Sequence, residues 1–110
     1  MRRFTSIKEN REFMFLYRRG KSLDADCIIM YFRKNRNKGL RLGITVTKKL
    51  GKAVIRNRIR RRIRESFSAN SSGISPCYDI IFVARSKAAK VSYAEINSAM
   101  RYLLHKAELI

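Results

Sequence analysis

The chain is poor in several residue types, and each shortage excludes a class of protein. It has one histidine, His105, and two cysteines, Cys27 and Cys77, which stand fifty positions apart outside any Cys-x-x-Cys pair. A zinc site is therefore not expected, and two free thiols in a reducing compartment are the simpler interpretation. The longest apolar run is CIIMYF at 27–32, far below the roughly 20 residues that a membrane-spanning helix needs. The amino-terminal segment starts basic but lacks the small-residue cleavage site of a signal peptide, so we expect a cytoplasmic protein.

Acidic residues are the most conspicuous shortage. Eight Asp and Glu stand against twenty-six Lys and Arg, which gives a net charge of +18 and a pI near 11.0. Such a balance favours a polyanionic partner, either nucleic acid or an anionic membrane surface. Since 45% of the 110 residues are hydrophobic, the chain has the apolar side chains for one core, and we expect a single domain over residues 1–110.

The pattern of apolar and turn-forming residues predicts three helices and three strands in the order α-β-β-α-β-α. This order indicates an α+β fold, with helices packed on a small sheet. A first helix is predicted to be capped by Thr5 or Ser6 and to stop at Gly20. The other predicted elements are strands at 27–34, 40–49 and 78–85, a helix at 54–68, the longest loop at 68–76, and a last helix that opens with the capping box Ser92-Tyr-Ala-Glu95.

The predicted strand LRLGITVTKK, at 40–49, alternates between an apolar and a polar side. The apolar side is predicted to face the core and holds Leu40, Leu42, Ile44 and Val46. The polar side holds Arg41, Gly43, Thr45 and Thr47. A strand glycine often marks a place where another backbone comes close, so we expect a ligand backbone to approach this side.

The stretch AVIRNRIRRRIRESF, at 53–67, carries six arginines and no acid before Glu65. As a helix it has one apolar stripe that can dock on the sheet, made of Ile55, Ile59, Ile63 and Phe67. The opposite side holds Asn57, Arg58, Arg61 and Arg64, the flanks hold Arg56, Arg60 and Arg62, and Lys48, Lys49 and Lys52 precede the helix. A solvated helix usually mixes its signs, because Glu and Lys or Arg four residues apart support each other.

Solvation of a helix face and binding to a membrane surface explain this run of arginines less well than contact with nucleic acid does. Solvation of a helix face does not require charge of one sign, and a membrane-surface helix would need the apolar stripe that the fold uses. Arginine, rather than lysine, also fits bidentate recognition of phosphate. The neighbouring GITVTKKLGKA is not a phosphate-binding loop, because seven residues separate Gly43 from Gly51 and Ala53 follows Lys52. No nucleotide or other small-molecule substrate is therefore expected.

The basic helix and the strand before it resemble those of a known family. LGITVTKKLGKAVIRNRIRRRIRESF, at 42–67, resembles the signature region of the bacterial ribonuclease P protein component. The core of that signature is Arg-Asn-Arg, then a basic pair and a later arginine, here Arg56-Asn57-Arg58, Arg60-Arg61 and Arg64. NREFMFLYRRGKS, YDIIFVAR and SYAEINSAMRYLL resemble the family's first helix, last strand and final helix in the same order. Arg60 stands where lysine is more usual, a change that keeps the charge.

The resemblance implies the protein subunit of a ribonucleoprotein whose catalyst is RNA and which removes the 5′ leader from precursor tRNA. The implied partners are the catalytic RNA and precursor tRNA, and the implied metal is magnesium held mainly by RNA phosphates. The residues implied to lie against the catalytic RNA are Lys48, Lys49, Lys52, Arg56, Asn57, Arg58, Arg60, Arg61 and Arg64. A small, mostly antiparallel sheet with a left-handed parallel β-α-β crossover is also implied, against the general preference for right-handed ones.

The resemblance further implies a cleft for the single-stranded leader between the first helix and the sheet. The candidates for this cleft are Phe13, Tyr17, Tyr31, Thr45 and Thr47. Phe13 and Tyr17 lie four apart and share one helix face, and single-stranded RNA is held by aromatic stacking along a cationic track. The alternative for each aromatic is packing in the core, the commoner fate of a helical Phe.

No arrangement of residues for catalysis emerges from the sequence. Hydrolysis of a phosphodiester by the protein would need a general base and acid, or a carboxylate-bound metal pair. Glu9 and Glu12 stand beside Arg11, which indicates an exposed ion-paired surface, and Asp24 and Asp26 suit a turn. We therefore expect no catalytic and no metal-binding residue. The alternatives are a ribosomal or general RNA-binding module without processing activity, and a protein-only nuclease.

Overall fold

A five-stranded sheet organises the molecule, with helices on both of its faces. The computed structural model describes residues 4–36 and 38–110. Its strands are β1 Thr5–Ser6, β2 Lys21–Asp24, β3 Ile28–Lys34, β4 Arg41–Thr45 and β5 Tyr78–Ala84. Its helices are α1 Asn10–Arg19, α2 Ala53–Asn70 and α3 Tyr93–Lys106, with 3₁₀ turns at Lys48–Leu50, Ser71–Gly73 and Ser86–Ala89. The strand order across the sheet is β1-β4-β5-β3-β2.

The predicted α+β fold is confirmed, but the sequence pattern predicts neither β1 nor β2. Thr5 and Ser6 do not cap the first helix, because they pair in parallel with Arg41 and Leu42 of β4. The helix α1 begins later, at Asn10, and makes no side-chain capping hydrogen bond. Its predicted end is confirmed, since α1 stops at Arg19 and Gly20 follows.

The sheet is evenly mixed rather than mostly antiparallel. The strand β3 pairs antiparallel with β2 and with β5. The strand β4 pairs in parallel with β5 on one side and with β1 on the other. The unpredicted β1 therefore supplies the second parallel pairing, which makes the numbers of parallel and antiparallel strand pairings equal.

Two connections in this sheet join parallel strands, and they have opposite hands. The pairings make β1, β2, β4 and β5 parallel to one another, with β3 reversed. The connections β1-α1-β2 and β4-α2-β5 run the same way across the sheet, but α1 and α2 cover opposite faces. One of the two crossovers must therefore be left-handed, against the general rule. That it is β4-α2-β5 stays a prediction from the resemblance.

The larger core lies between the sheet and the pair α2 and α3. The predicted apolar stripe of α2 is confirmed, with Ile59, Ile63 and Phe67 fully buried and Ile55 half-buried. Burying each of these large side chains contributes on the order of 1.5–3 kcal/mol, which fixes how α2 is rotated about its own axis. The remaining sides of the helix, where the arginines lie, are thereby held away from the sheet.

A second, smaller core holds α1 on the other face of the sheet. Ile7, Leu16 and Ile81 are its buried residues. An ion-pair network anchors the helix at one end, where Arg41 donates to Glu12 of α1 at 2.7 Å and to both carboxylate oxygens of Asp79 at 2.8 Å. Glu12 is thus a partly buried tie between α1 and the sheet, rather than part of the expected exposed surface.

Protonation in this network follows from its hydrogen bonds. Burial alone would raise the pKa of the Asp79 carboxyl, but hydrogen bonds from Arg41 and Asn35 outweigh burial and hold that pKa below its usual range. The hydrogen bond to Asp79 in turn raises the pKa of the Arg41 guanidinium. Both groups are therefore charged near neutral pH.

Candidate nucleic-acid interface

The arginines of α2 present positive charge that the protein does not neutralise. Among the residues that the structure describes, Arg61 is the only cation of α2 or of the preceding turn within 4.0 Å of a carboxylate. That pair, with Glu65 four residues later, is 4.0 Å long and solvent-exposed, so it contributes little. Within residues 4–36 and 38–110, six acids form ion pairs, and the five other than Glu65 pair with cations outside α2 and its preceding turn. The charge of the α2 arginines is therefore left for an external anion to balance.

Not every basic side chain of α2 points straight outward. Arg56 donates from Nε to the carbonyl of Gly51 at 3.1 Å, and Arg62 donates to the carbonyl of Val91 at 2.9 Å. Arg58 is half-buried, and its Nε is buried without a hydrogen-bond partner. An unpaired buried donor costs free energy, so the Nε of Arg58 weakens the local packing slightly. Asn57 and Arg60 share a long side-chain contact of 3.4 Å.

The three lysines before α2 extend the same surface. Lys48 and Lys49 are exposed on the 3₁₀ turn, and Lys52 is exposed at the N-cap of α2. Gly51 joins the turn to the helix with φ 137°, where a Cβ would lie 3.1 Å from the side chain of Ile55. The glycine therefore permits the backbone conformation that joins the turn bearing Lys48 and Lys49 directly to α2.

The aromatic candidates gather beside α1 on the open part of the sheet. The ring centroids of Phe13 and Tyr17 are 6.4 Å apart, and those of Tyr17 and Tyr31 are 5.0 Å apart. The hydroxyls of Tyr17 and Thr45 share a hydrogen bond of 2.7 Å. All three rings are half-buried and pack against the smaller core. Core packing and exposure to a ligand are therefore combined in the same side chains.

Gly43 lies under Phe13 and not under a ligand. A Cβ built at Gly43 would lie 2.8 Å from Cζ of Phe13 and 3.0 Å from Cγ1 of Ile81. The ring of Phe13 occupies the space above Gly43, so the close approach that this glycine allows is made by a side chain of α1. The position allows α1 to lie close to the sheet. Approach of a ligand to the rest of this side of β4 stays a prediction.

Four of the five cleft candidates come together, and Thr47 lies apart. The strand β4 ends at Thr45 instead of running to residue 49, so Thr47 is exposed at the start of the 3₁₀ turn. The sequence prediction missed Lys8 and Asn10, which line the groove beside Phe13. Asn10 stands three positions before Phe13, so helical spacing could have found it.

The aromatic cleft and the arginine helix meet at one edge of the sheet. Arg60 and Arg64 line a small groove with Phe13 and Gly43, and Arg60 also lines an open groove of about 300 Å³ with Thr45. Among the described residues, β1 pairs only with the first two residues of β4, so the rest of this edge of β4 has no strand partner there. The grooves of the cleft are thus continuous with the side of α2 that carries Arg60 and Arg64.

The described part of the chain holds no group of three or more His, Cys, Asp or Glu side chains that could hold a metal ion. Cys27 and Cys77 form no disulfide, and burial raises the pKa of the Cys27 thiol. No helix within residues 4–36 and 38–110 has the length and hydropathy to cross a membrane.

Comparisons with known proteins agree with one another. A family model described as Ribonuclease P matches residues 1–108. The chain is 45% identical over 105 residues to the ribonuclease P protein component of Clostridium kluyveri, covering 94% of each. It is 40% identical over 110 residues to that of Alkaliphilus oremlandii, covering 100% of this chain and 96% of the other.

Solved structures give the same result for the fold. The RNase P protein of Staphylococcus aureus matches with a TM-score of 0.87 and 37% identity, over 94% of this chain and 95% of that one. The RNase P protein from Thermotoga maritima matches with a TM-score of 0.83 and 32% identity, over 92% of this chain and 96% of that one.

Proposed function

The chain belongs to the bacterial ribonuclease P protein family and is a subunit of that endoribonuclease, and from this premise we propose which surface meets which RNA. Its partner is the RNA of ribonuclease P, and its role is in the processing of tRNA 5′ ends. The proposal has two parts: α2 and the preceding turn bind the catalytic RNA, and the cleft beside α1 binds the 5′ leader of precursor tRNA. We propose that both binding events take place in the cytoplasm.

The proposed catalytic-RNA surface is the set named from the sequence on α2 and the turn before it, namely eight cations and Asn57: Lys48, Lys49, Lys52, Arg56, Asn57, Arg58, Arg60, Arg61 and Arg64. The support is the burial of Ile59 and Ile63, which fixes the helix, and the near absence of carboxylate partners for its arginines. Guanidinium groups bind phosphates through paired hydrogen bonds.

The proposed leader site is the cleft formed by Phe13, Tyr17, Tyr31 and Thr45. Stacking of a base on an aromatic ring contributes about 1–3 kcal/mol and does not depend on sequence. The hydrogen bond between Tyr17 and Thr45 fixes the central ring, so little side-chain freedom is lost when a base stacks on it. Thr47 enters the proposal only through the resemblance.

The observation that carries the proposal is the position of Arg60, which lines the grooves of the cleft from the helix that faces the catalytic RNA. The leader in the cleft and the catalytic RNA on α2 therefore lie next to each other, with Arg60 between them. A general RNA-binding module would need only the basic helix, whereas a ribonuclease P subunit must hold a leader beside its RNA partner.

We propose magnesium as the metal of the working particle, held mainly by RNA phosphates. The described residues offer no carboxylate or histidine cluster that would hold it, and hydrated magnesium is commonly bound through phosphates. Reconstitution at low magnesium tests whether the RNA carries out catalysis and the protein assists it. Leader removal should require the RNA and should be stimulated by the protein, whereas cleavage by the protein alone would contradict the proposal.

Tyr17→Ala tests the leader site in the reconstituted holoenzyme. The affinity for precursor tRNA should fall about tenfold, equivalent to ~1.4 kcal/mol of lost stacking, while the affinity for mature tRNA stays unchanged. Tyr102→Ala is the matched control, because Tyr102 is an exposed aromatic on α3, on the other face of the sheet. Equal losses for precursor and mature tRNA would remove Tyr17 from the leader site.

A further inference from the structure

A second groove runs along the side of α1 that faces away from the leader cleft. Its volume is about 790 Å³, and it lies between α1 and the ends of β3 and β5. We call it the Phe15 groove, after its exposed aromatic, and define it by Phe15, Arg18, Arg33, Lys34, Arg36 and Lys38. Phe15 and Phe13 are two residues apart on α1 and therefore point to different sides of the helix.

The ring in this groove is arranged as a platform. Phe15 is 48% exposed, unlike the half-buried aromatics of the cleft. The guanidinium carbon of Arg33 lies 5.0 Å from the centroid of its ring. The guanidinium covers one face of the ring, and the exposed remainder of the ring can stack an unpaired base whose phosphate the arginine binds.

The groove is strongly positive, because the acids that line it are already neutralised by ion pairs. Glu9 is paired with Arg11 at 2.6 Å, and both Glu12 and Asp79 are paired with Arg41. The five cations that define the groove have no carboxylate within 4.0 Å among the described residues. The groove therefore matches a polyanion better than a peptide.

We propose that the Phe15 groove binds the upstream part of a long leader, after that leader has passed through the cleft and around α1. The inference rests on the proposed leader site. A helix is about 10–12 Å across, so the path over its solvent side is roughly half its circumference, ~16–19 Å, and stacked nucleotides rise about 3.4 Å each. About five nucleotides therefore pass α1 between the two sites. One base of the upstream segment stacks on Phe15, and its phosphates lie against Arg33 and Arg18.

The test measures affinity of the reconstituted holoenzyme for precursor tRNAs whose leaders lengthen in steps of about four nucleotides. Phe15→Ala should weaken binding about fivefold for leaders that extend past α1, and should leave shorter leaders and mature tRNA unchanged. Phe15→Trp should restore affinity, because it restores a stacking surface, whereas Phe15→Leu should not. Met14→Ala, at a similarly exposed apolar residue of α1, is the control and should have no effect at any length.

The outcomes separate this inference from the leader site itself. If Tyr17→Ala weakens precursor binding but Phe15→Ala has no effect at any leader length, the Phe15 groove does not bind the leader and the cleft still does. If neither substitution has an effect, both the leader site and the inference are wrong. If Phe15→Ala weakens the binding of mature tRNA equally, or if Phe15→Leu restores affinity, stacking of the upstream leader on Phe15 is refuted.

Discussion

Substitution of Gly43 by alanine should displace the aromatic ring at the entrance of the leader cleft. The new Cβ would lie 2.8 Å from Cζ of Phe13 and 2.9 Å from its Cε1. Ordinary carbon contacts are at least ~3.5 Å, so the ring must move by about 0.7 Å. Gly43 is buried in β4, and overpacking of this kind typically costs about 1–3 kcal/mol of unfolding free energy.

Urea denaturation followed by circular dichroism measures the first consequence. We expect Gly43→Ala to lower the free energy of unfolding by about 1–2 kcal/mol. Gly73→Ala is the matched control, because the nearest atom to a Cβ there is 3.8 Å away, and its effect should stay within about 0.5 kcal/mol. In holoenzyme binding, Gly43→Ala should weaken precursor tRNA about fivefold and leave mature tRNA unchanged.

A double-mutant cycle identifies the ring as the cause. Phe13→Leu removes the two ring atoms that the new Cβ would meet, so the double variant should lose less stability than the sum of the single variants, by about 1 kcal/mol. Strict additivity would place the clash at Ile81 instead. Unchanged stability and unchanged leader affinity in Gly43→Ala would refute the close packing of Phe13 on this glycine.

Three further outcomes follow from contacts already described. Asp79→Asn should lower the unfolding free energy at neutral pH by about 2 kcal/mol. Because Arg41 keeps the folded pKa of Asp79 low, the difference in unfolding free energy from wild type should shrink as the pH falls below the unfolded pKa of about 3.9. A difference that stays constant with pH in the denaturation curves would contradict this. Arg61→Gln should reduce the log–log salt slope of catalytic-RNA binding by about 0.7–0.9 in filter assays, whereas Lys106→Gln on α3 should not; equal changes would argue against a specific α2 surface. Ile63→Ala, at a fully buried position, should lower the unfolding free energy by about 2–5 kcal/mol in urea, and a loss under ~1 kcal/mol would mean that α2 is not docked through this stripe.

The elements that the sequence predicts well are those in which burial leaves a periodic pattern. The isoleucines at 55, 59 and 63 mark α2 because the same spacing that makes a helix also makes its buried stripe. The strand β2, by contrast, has the sequence KSLD and one half-buried apolar residue, Leu23. Its pairing with β3 depends on backbone hydrogen bonds, which leave no trace in side-chain order. The two exposed residues of β1 are missed for the same reason.

The candidate site was predictable in its residue types but not in its geometry. Helical spacing brings Phe13 and Tyr17 to one face, but which edge of that face stays open depends on how α1 lies across the sheet. A strand glycine indicates that something comes close, without telling whether it is a ligand or, as at Gly43, a ring from the same chain. The alternation that puts Thr45 beside Tyr17 of α1 continues in the sequence to Thr47, although the strand has already ended.

The central strand of the sheet is the last one that the ribosome makes. β5 lies between β4 and β3, yet it begins only at Tyr78, after the whole of α2 has been synthesised. Until β5 is in place, the strands on its two sides are not joined and the isoleucines of α2 lack the completed sheet that they pack on. Because β5 links the two halves of the sheet, small single domains of this kind are expected to gain it in one cooperative step. The arginines of α2 therefore become a shaped surface only after Tyr78–Ala84 has been made.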